Sequence, residues 1–270
     1  MKNKIFNFML RKVNNFLSKI NIKIISVSNN NKINSFFEKL FIYHTGHDLI
    51  RVGEKGDGGY LVPNILDLGK VKYCISLGVG PMSTFEDHLL KYNIKSFLVD
   101  GTVNYSGNHH FIKKNINTYN DKNNITIQQM ISEIEELKTN KNLLLQMDIE
   151  GCEIEALLST DQDTLKKFKI LVIEFHHFEY LSNPTILKIY NDIFDKLLKD
   201  FTICHIHPNT ACGTTILNNR KTPVLLEITF LNNEELLKKE PINYKLPCDL
   251  DTKNYETDEE IILPEYFYRK

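Results

Sequence analysis

Residues 72–100 read KYCISLGVGPMSTFEDHLLKYNIKSFLVD. The run 73–77 is apolar and rich in β-formers, as in a central strand buried on both faces. Gly78-Val79-Gly80 turns the chain sharply and lets backbone N–H groups approach a ligand. Ser83 or Thr84 is placed to cap a helix carrying Phe85, Leu89, Leu90 and Tyr92 on one buried face. A second apolar run, 96–99, closes on Asp100 about twenty residues past the turn. Nucleotide-binding sheets carry at that point the acid that accepts hydrogen bonds from ribose hydroxyls. The pattern predicts the first unit of a Rossmann-like sheet, with Gly78, Gly80 and Asp100 around a nucleoside-type ligand. A merely tight strand-to-helix turn, with Asp100 as a turn former, is the alternative, because Ser83 stands where the dinucleotide fingerprint has its third glycine.

A chain of 270 residues suits one α/β domain with appendages. Its formal net charge of −1 argues against a protein built to hold nucleic acid through phosphates. The five cysteines are widely spaced without a CxxC, so a structural zinc site is not expected and the thiols read as reduced, in a cytoplasmic setting. Residues 1–28 look at first like a signal peptide, but Arg11 and Lys12 interrupt the apolar run and no small-residue cleavage site follows. No run is long enough to span a bilayer. The basic amphipathic stretch 2–19 is of a kind that touches membrane surfaces, packs on its own domain or joins a second subunit.

Residues 1–48 read as an N-terminal helical appendage and 49–270 as the main domain. Gly56-Asp57-Gly58-Gly59 is a hairpin turn or a lid over the ligand. Further strands are expected at 125–127, 143–149, 170–175, 201–207 and 224–231, with helices at 128–137, from 153 and from Pro184. Ile127, closing the expected third strand, is counted with the cofactor-binding set. The stretch between the sixth and seventh strands lacks a helical pattern, which predicts an antiparallel return. Residues 232–270 are polar with scattered apolar anchors and are expected to wrap the domain.

In an open α/β sheet the ligand lies beyond the carboxyl ends of the strands. Asp148, Glu150, Glu174, His176, His177, His205 and His207 all fall there. Strand parity puts Asp148 with Gln146, Glu174 with His176, and His205 with His207. Such a cluster suits a general base with its orienting partner, or a divalent metal held by Asp148, Glu174 and His176. Each histidine alone also reads as a hydrogen-bonded structural residue. Glu227 lies inside a strand, on either of its sides.

The segments SLGVG, LLLQMDIEGCEIEALLS and KILVIEFHHFE resemble the FkbM-type S-adenosylmethionine-dependent methyltransferases, over roughly 51–230. Asp148, Glu150, Gly151 and Glu153 match that family's Asp-x-Glu-Gly-x-Glu segment. The resemblance implies a Rossmann-like seven-strand methyltransferase sheet with helices on both faces and its last two strands antiparallel. It also implies methyl transfer from S-adenosylmethionine to a hydroxyl, often of a sugar in a glycan or nucleotide-sugar precursor. Gly78 and Gly80 then match the cofactor loop and Asp100 the ribose-binding acid. Two departures are Ser76, where such loops often carry an acid, and Pro81. For the proton acceptor the first candidates are His176 and His177, with Asp148 orienting and His207 in reserve. A non-catalytic nucleoside-binding protein, a metal-dependent hydrolase, and assembly through the N-terminal helices are the competing expectations.

Overall fold

The computed structural model describes residues 2–24, 27–80, 82–217 and 219–268, so Pro81 lies outside the described residues. Seven strands form one sheet: β1 (Tyr73–Leu77), β2 (Lys95–Val99), β3 (His110–Ile112), β4 (Leu143–Met147), β5 (Phe168–Phe175), β6 (Phe201–Pro208) and β7 (Leu226–Asn232). Their order is β6-β7-β5-β4-β1-β2-β3. β1 pairs in parallel with β2 and β4, and β4 with β5. β7 runs antiparallel to both β5 and β6. The chain builds outward from β1 to one edge and then from β4 to the other, so the crevice of the sheet opens at the carboxyl ends of β1 and β4.

The principal helices are α1 (Lys2–Leu17), α2 (Asn30–Phe37), α3 (Thr84–Leu89), α4 (Ile127–Glu133), α5 (Glu153–Ser159) and α6 (Pro184–Leu197). Strand alternation divides the core. Ile75, Leu77, Leu145, Met147, Leu171 and Ile173 face one side, packed with α2, α4, α5 and α6. Cys74, Leu144, Ile170, Val172 and Leu231 face the other. There α3 contributes Phe85 and Leu89, and the hairpin of Leu49–Val52 with Tyr60–Pro63 contributes Val52, Tyr60 and Val62. Asn183 starts α6 by accepting from the N–H of Thr185 at 2.9 Å, with Pro184 in the first turn where its missing N–H costs nothing.

Two expectations need correction. The third strand is not 125–127. β3 is His110–Ile112, beside β2. Asn124–Ile125 makes only a two-residue ladder with Asn115–Ile116, and Ile127 opens α4. The reason is Thr126, whose side chain accepts from the N–H of Gln129 at 3.1 Å and starts a helix there. β3 is a short edge strand, exposed along part of its length, and so lacks the apolar run of an inner strand. The N-terminal appendage, secondly, divides in two. α2 belongs to the main core, with the Phe36 ring 5.3 Å from that of Phe194 on α6, whereas the apolar side chains Phe6, Met9 and Phe16 of α1 are exposed.

Between β6 and β7 the chain makes a small hairpin, Thr214–Leu217 with Arg220–Pro223, in place of a crossover helix. The carboxy-terminal segment wraps the domain as expected, burying Ile242, Leu246, Leu263 and Phe267.

Candidate active site

The register of the sheet lines up four ionisable side chains. Glu174 of β5 is paired with Glu227 of β7, and Glu227 with His207 of β6. Ile173 is paired with Met147, which sets Asp148, just past β4, beside Glu174. All lie on the face covered by the Leu49–Pro63 hairpin. Glu227 is therefore buried in this row and not on a solvent-facing side.

At the β1/β4 end the row opens into a cleft of about 690 Å³ lined by Gly78, Val79, Gly80, Asp100, Gln146 and Asp148, with Asp57, Gly58 and Tyr60 above. Gly78 has φ +76°, and a Cβ there would lie 1.6 Å from the carbonyl oxygen of Asp148, so only glycine lets the ends of β1 and β4 touch. At Gly80 a Cβ would meet nothing within 4 Å, which leaves its backbone bare toward the cleft. Asp100 Oδ1 accepts from the N–H and hydroxyl of Thr102, both at 2.6 Å, and from the N–H of Val103 at 3.2 Å. Asp100 is thus a turn former, and it also lines the cleft. Gly56–Gly59 is both a hairpin turn and a roof, and it is fixed: the N–H groups of Gly56 and Asp57 donate to Thr252 Oγ1 and the Asn254 carbonyl.

Beyond Asp148 stands the acid–imidazole cluster. His176 Nε2 lies 3.4 Å from Glu150 Oε2 and 3.9 Å from both Asp148 Oδ1 and Glu174 Oε1. On the other side of the ring, Nδ1 is 3.1 Å from Glu153 Oε1. Burial pushes the Asp148 carboxyl up to about 7, with Glu150 and Glu153 adding to the shift and His176 opposing it. Burial, then Asp148 and Glu227, push Glu174 up to about 10. For His176 burial works against the charged form, but Glu153, Asp148 and Glu150 outweigh it and hold the imidazole above its ordinary value. Asp148, Glu174 and His176 bring one ligand atom each within 4.8 Å of one another. Asp148 Oδ1 is buried with no hydrogen-bond partner. Two carboxylates and an imidazole with no amine or guanidinium among them form a donor set for a divalent cation. The Glu153 contact on the far ring nitrogen is the outer support that metal-binding histidines usually have.

The other named residues separate. His177 turns away in the left-handed region (φ 70°), half-exposed, with Nδ1 3.5 Å from Glu179. Its Nε2 lies where a Cβ on Gly151 would be 2.7 Å away, so the histidine covers the turn and leaves no room for a side chain there. His207 is tied down with His205: both approach Asp251 Oδ1, at 3.2 and 2.9 Å. Burial would raise Asp251, but the two imidazoles prevail and hold it well below the usual carboxylate range. Ile127 does not reach the cleft. It is buried in the core on the opposite face of the sheet, because Thr126 has already begun α4.

Two further acids shape the site: Glu153, which the family segment matched without giving it a role, and Glu86, which the strand-end pattern did not single out. Glu153, fully buried, accepts from the N–H groups of Ile149 and Gly151 at 3.0 and 3.2 Å, and so shapes the turn that carries Asp148 and Glu150. Glu86 of α3 is buried against Ser76 Oγ, which also lies 2.6 Å from Gln146 Oε1. Burial raises its carboxyl above the ordinary value. An acid thus stands beside Ser76 after all, delivered by the helix instead of the strand. Its signal was a glutamate between Phe85 and Leu89 on the apolar face of α3.

A second hollow of about 520 Å³, between residues 43–49 and 244–250, contains none of these strand-end acids. Among known proteins, a crystal structure from Pyrococcus horikoshii, assigned as an RNA methyltransferase, aligns at 11% identity over 62% of this chain and 79% of that one, with a TM-score of 0.28. No curated protein sequence matches this one. The profile of the FkbM methyltransferase domain matches residues 44–213, which include the glycine turn, Asp100 and the whole acid–imidazole cluster. The chain belongs to the FkbM methyltransferase family.

Proposed function

We propose that the protein is an S-adenosylmethionine-dependent O-methyltransferase acting on a hydroxyl of a sugar, in a glycan or a nucleotide-sugar precursor. The observation that carries this is the continuity of one cleft from Asp100, past the glycine turn, to Asp148. The bare backbone of Gly80 and the carboxylate of Asp100 fit a nucleoside cofactor, with Asp100 Oδ2 left to accept from a ribose hydroxyl. Glu86, beneath the turn, suits the amino-acid end. Thr102, Asn117 and Asn124 make the cleft wall polar on the Asp100 side. The net negative charge and the acidic cluster weigh against a nucleic-acid acceptor.

The cofactor would supply an electrophilic methyl group. In-line transfer of that methyl to an acceptor hydroxyl would require the enzyme to align the oxygen and take up its proton. Asp148 lies at the mouth of the cluster with His176 behind it, so this pair is the proton-accepting unit, and Glu153 fixes the ring. The donor set also supports a second reading, in which Asp148, Glu174 and His176 hold a divalent cation that lowers the hydroxyl's pKa.

Calorimetry with S-adenosylmethionine, followed by mass spectrometry of sugar acceptors, tests the first reading. Tight binding and a methylated sugar are expected. A protein that binds no S-adenosylmethionine overturns it. Metal analysis and chelation test the second: full turnover in chelator, with no metal in the purified protein, removes the cation.

A further inference from the structure

Of the six principal helices, α1 contributes no described side chain to the core. Along it Phe6, Met9, Val13 and Phe16 recur at helical spacing, with 62, 62, 45 and 69% of their surface exposed. That is one continuous apolar face left in water. The chain then doubles back. Asn14 exchanges two hydrogen bonds of 2.7 Å with the backbone of Ile24, which ties the exposed Ile22 and Ile24 to the same helix. Among the described residues, the N–H of Ser28 then donates to the carbonyl of Ser182, and α2 enters the core.

Charge decides what covers it. Six of the 33 basic residues, and none of the 34 acidic ones, fall before residue 25. The first acid of the chain is Glu38. A second copy of α1 would bring like charges together with no acid to pair them, whereas paired helices normally set acids against bases along the seam. An anionic lipid surface answers both features, since it takes an apolar helix face into the acyl boundary and basic residues at the headgroups. No helix among the described residues is long and apolar enough to cross a membrane. We propose that residues 2–24 are an interfacial anchor that docks the enzyme flat on an anionic bilayer, with Phe6, Met9, Val13 and Phe16 inserted and Arg11, Lys12, Lys19 and Lys23 at the phosphates. The remaining chain, 27 basic against 34 acidic residues, is repelled from the same surface, so the anchor also sets which side of the domain faces the bilayer.

The test is co-sedimentation of the full chain with vesicles of phosphatidylcholine alone or mixed with phosphatidylglycerol. Binding to the mixed vesicles should be more than about tenfold tighter and should weaken as salt is raised. The double variant Met9→Glu/Phe16→Glu should lose vesicle binding while keeping its circular dichroism and thermal stability, since both side chains are exposed. Arg11→Glu/Lys12→Glu should lose the preference for anionic lipid. Failure to pellet with either vesicle overturns the proposal. So does equal binding to both, or a dimer by light scattering that Met9→Glu/Phe16→Glu dissolves, which would make a second copy the occupant.

Discussion

Glu153 Oε1 lies 3.1 Å from Nδ1 of His176 while accepting the backbone N–H groups of Ile149 and Gly151. One buried carboxylate thus ties the turn after β4 to the residue after β5, and turns the other ring nitrogen toward Asp148 and Glu174. Glu153→Gln keeps an acceptor for the two N–H groups but removes the charge facing the ring. Turnover should fall by about 10–100-fold, the usual cost of losing such an outer carboxylate. Calorimetry should show S-adenosylmethionine affinity little changed.

His176 and His177 are neighbours with different work. His176→Asn should lower turnover by about 10²–10⁴-fold, as for loss of a proton-transfer or ligand group. His177→Asn should leave turnover near normal, because that ring covers Gly151 outside the cleft. Steady-state kinetics on the two variants, both shown to be folded, separates the roles. Equal losses would show that the ring over the turn takes part in the reaction.

Asp100→Asn retains an oxygen for the Thr102 turn but weakens the acceptor offered to a ribose. The expected loss in S-adenosylmethionine binding is about 1–3 kcal/mol, read as a rise in Kd by calorimetry. Unchanged affinity would take Asp100 out of the cofactor site.

Gly78→Ala tests the contact between the ends of β1 and β4. The residue sits at φ +76°, and its new Cβ would fall 1.6 Å from the Asp148 carbonyl oxygen. Backbone strain and a displaced strand end together should cost about 2–4 kcal/mol. Urea denaturation measures the loss, and Gly80→Ala, with open space around it, is the control.

The Asp251–His205–His207 triad gives stability a pH signature. Asp251 is held below its ordinary value, so its contribution is present above that value and is lost only as pH falls far into the acid range. Against burial, Asp251 and Glu227 hold His207 above its ordinary value, so its contribution is complete below about pH 6.5 and fades as pH rises through the raised value. The two coincide between roughly pH 4 and 6.5. Asp251→Asn should therefore cost most in that window, about 3–5 kcal/mol for a broken buried pair, and less in alkali. Thermal melts on both sides of neutrality check the sign.

The sheet was legible because its inner strands are buried on both faces and so read as unbroken apolar runs, 73–77, 143–147 and 170–175, each ending in a turn or an acid. β3 was not legible, since an edge strand needs no such run, and Thr126 converted the expected third strand into a helix start. Gly78, Asp100, Asp148, Glu174 and His176 could be named from the sequence by their place at strand ends. Ile127 could not be excluded by the same logic, because it depended on the misplaced strand.

The sequence by itself determined the strand-end inventory and the parity of each strand, because side-chain direction alternates strictly along an extended chain. Tertiary structure alone decided which strand ends are neighbours. Pairing register set Asp148, Glu174, Glu227 and His207 in one row, although they are separated by tens of residues. It brought Glu86 beneath the glycine turn from α3, and gave His207 to Asp251 of the wrapping segment. It also split two adjacent histidines between the buried acid cluster and the surface, since His177 adopts a left-handed backbone that no periodicity announces. Local spacing fixes which way a side chain leaves its strand, but what it meets there is fixed by contacts between distant parts of the chain.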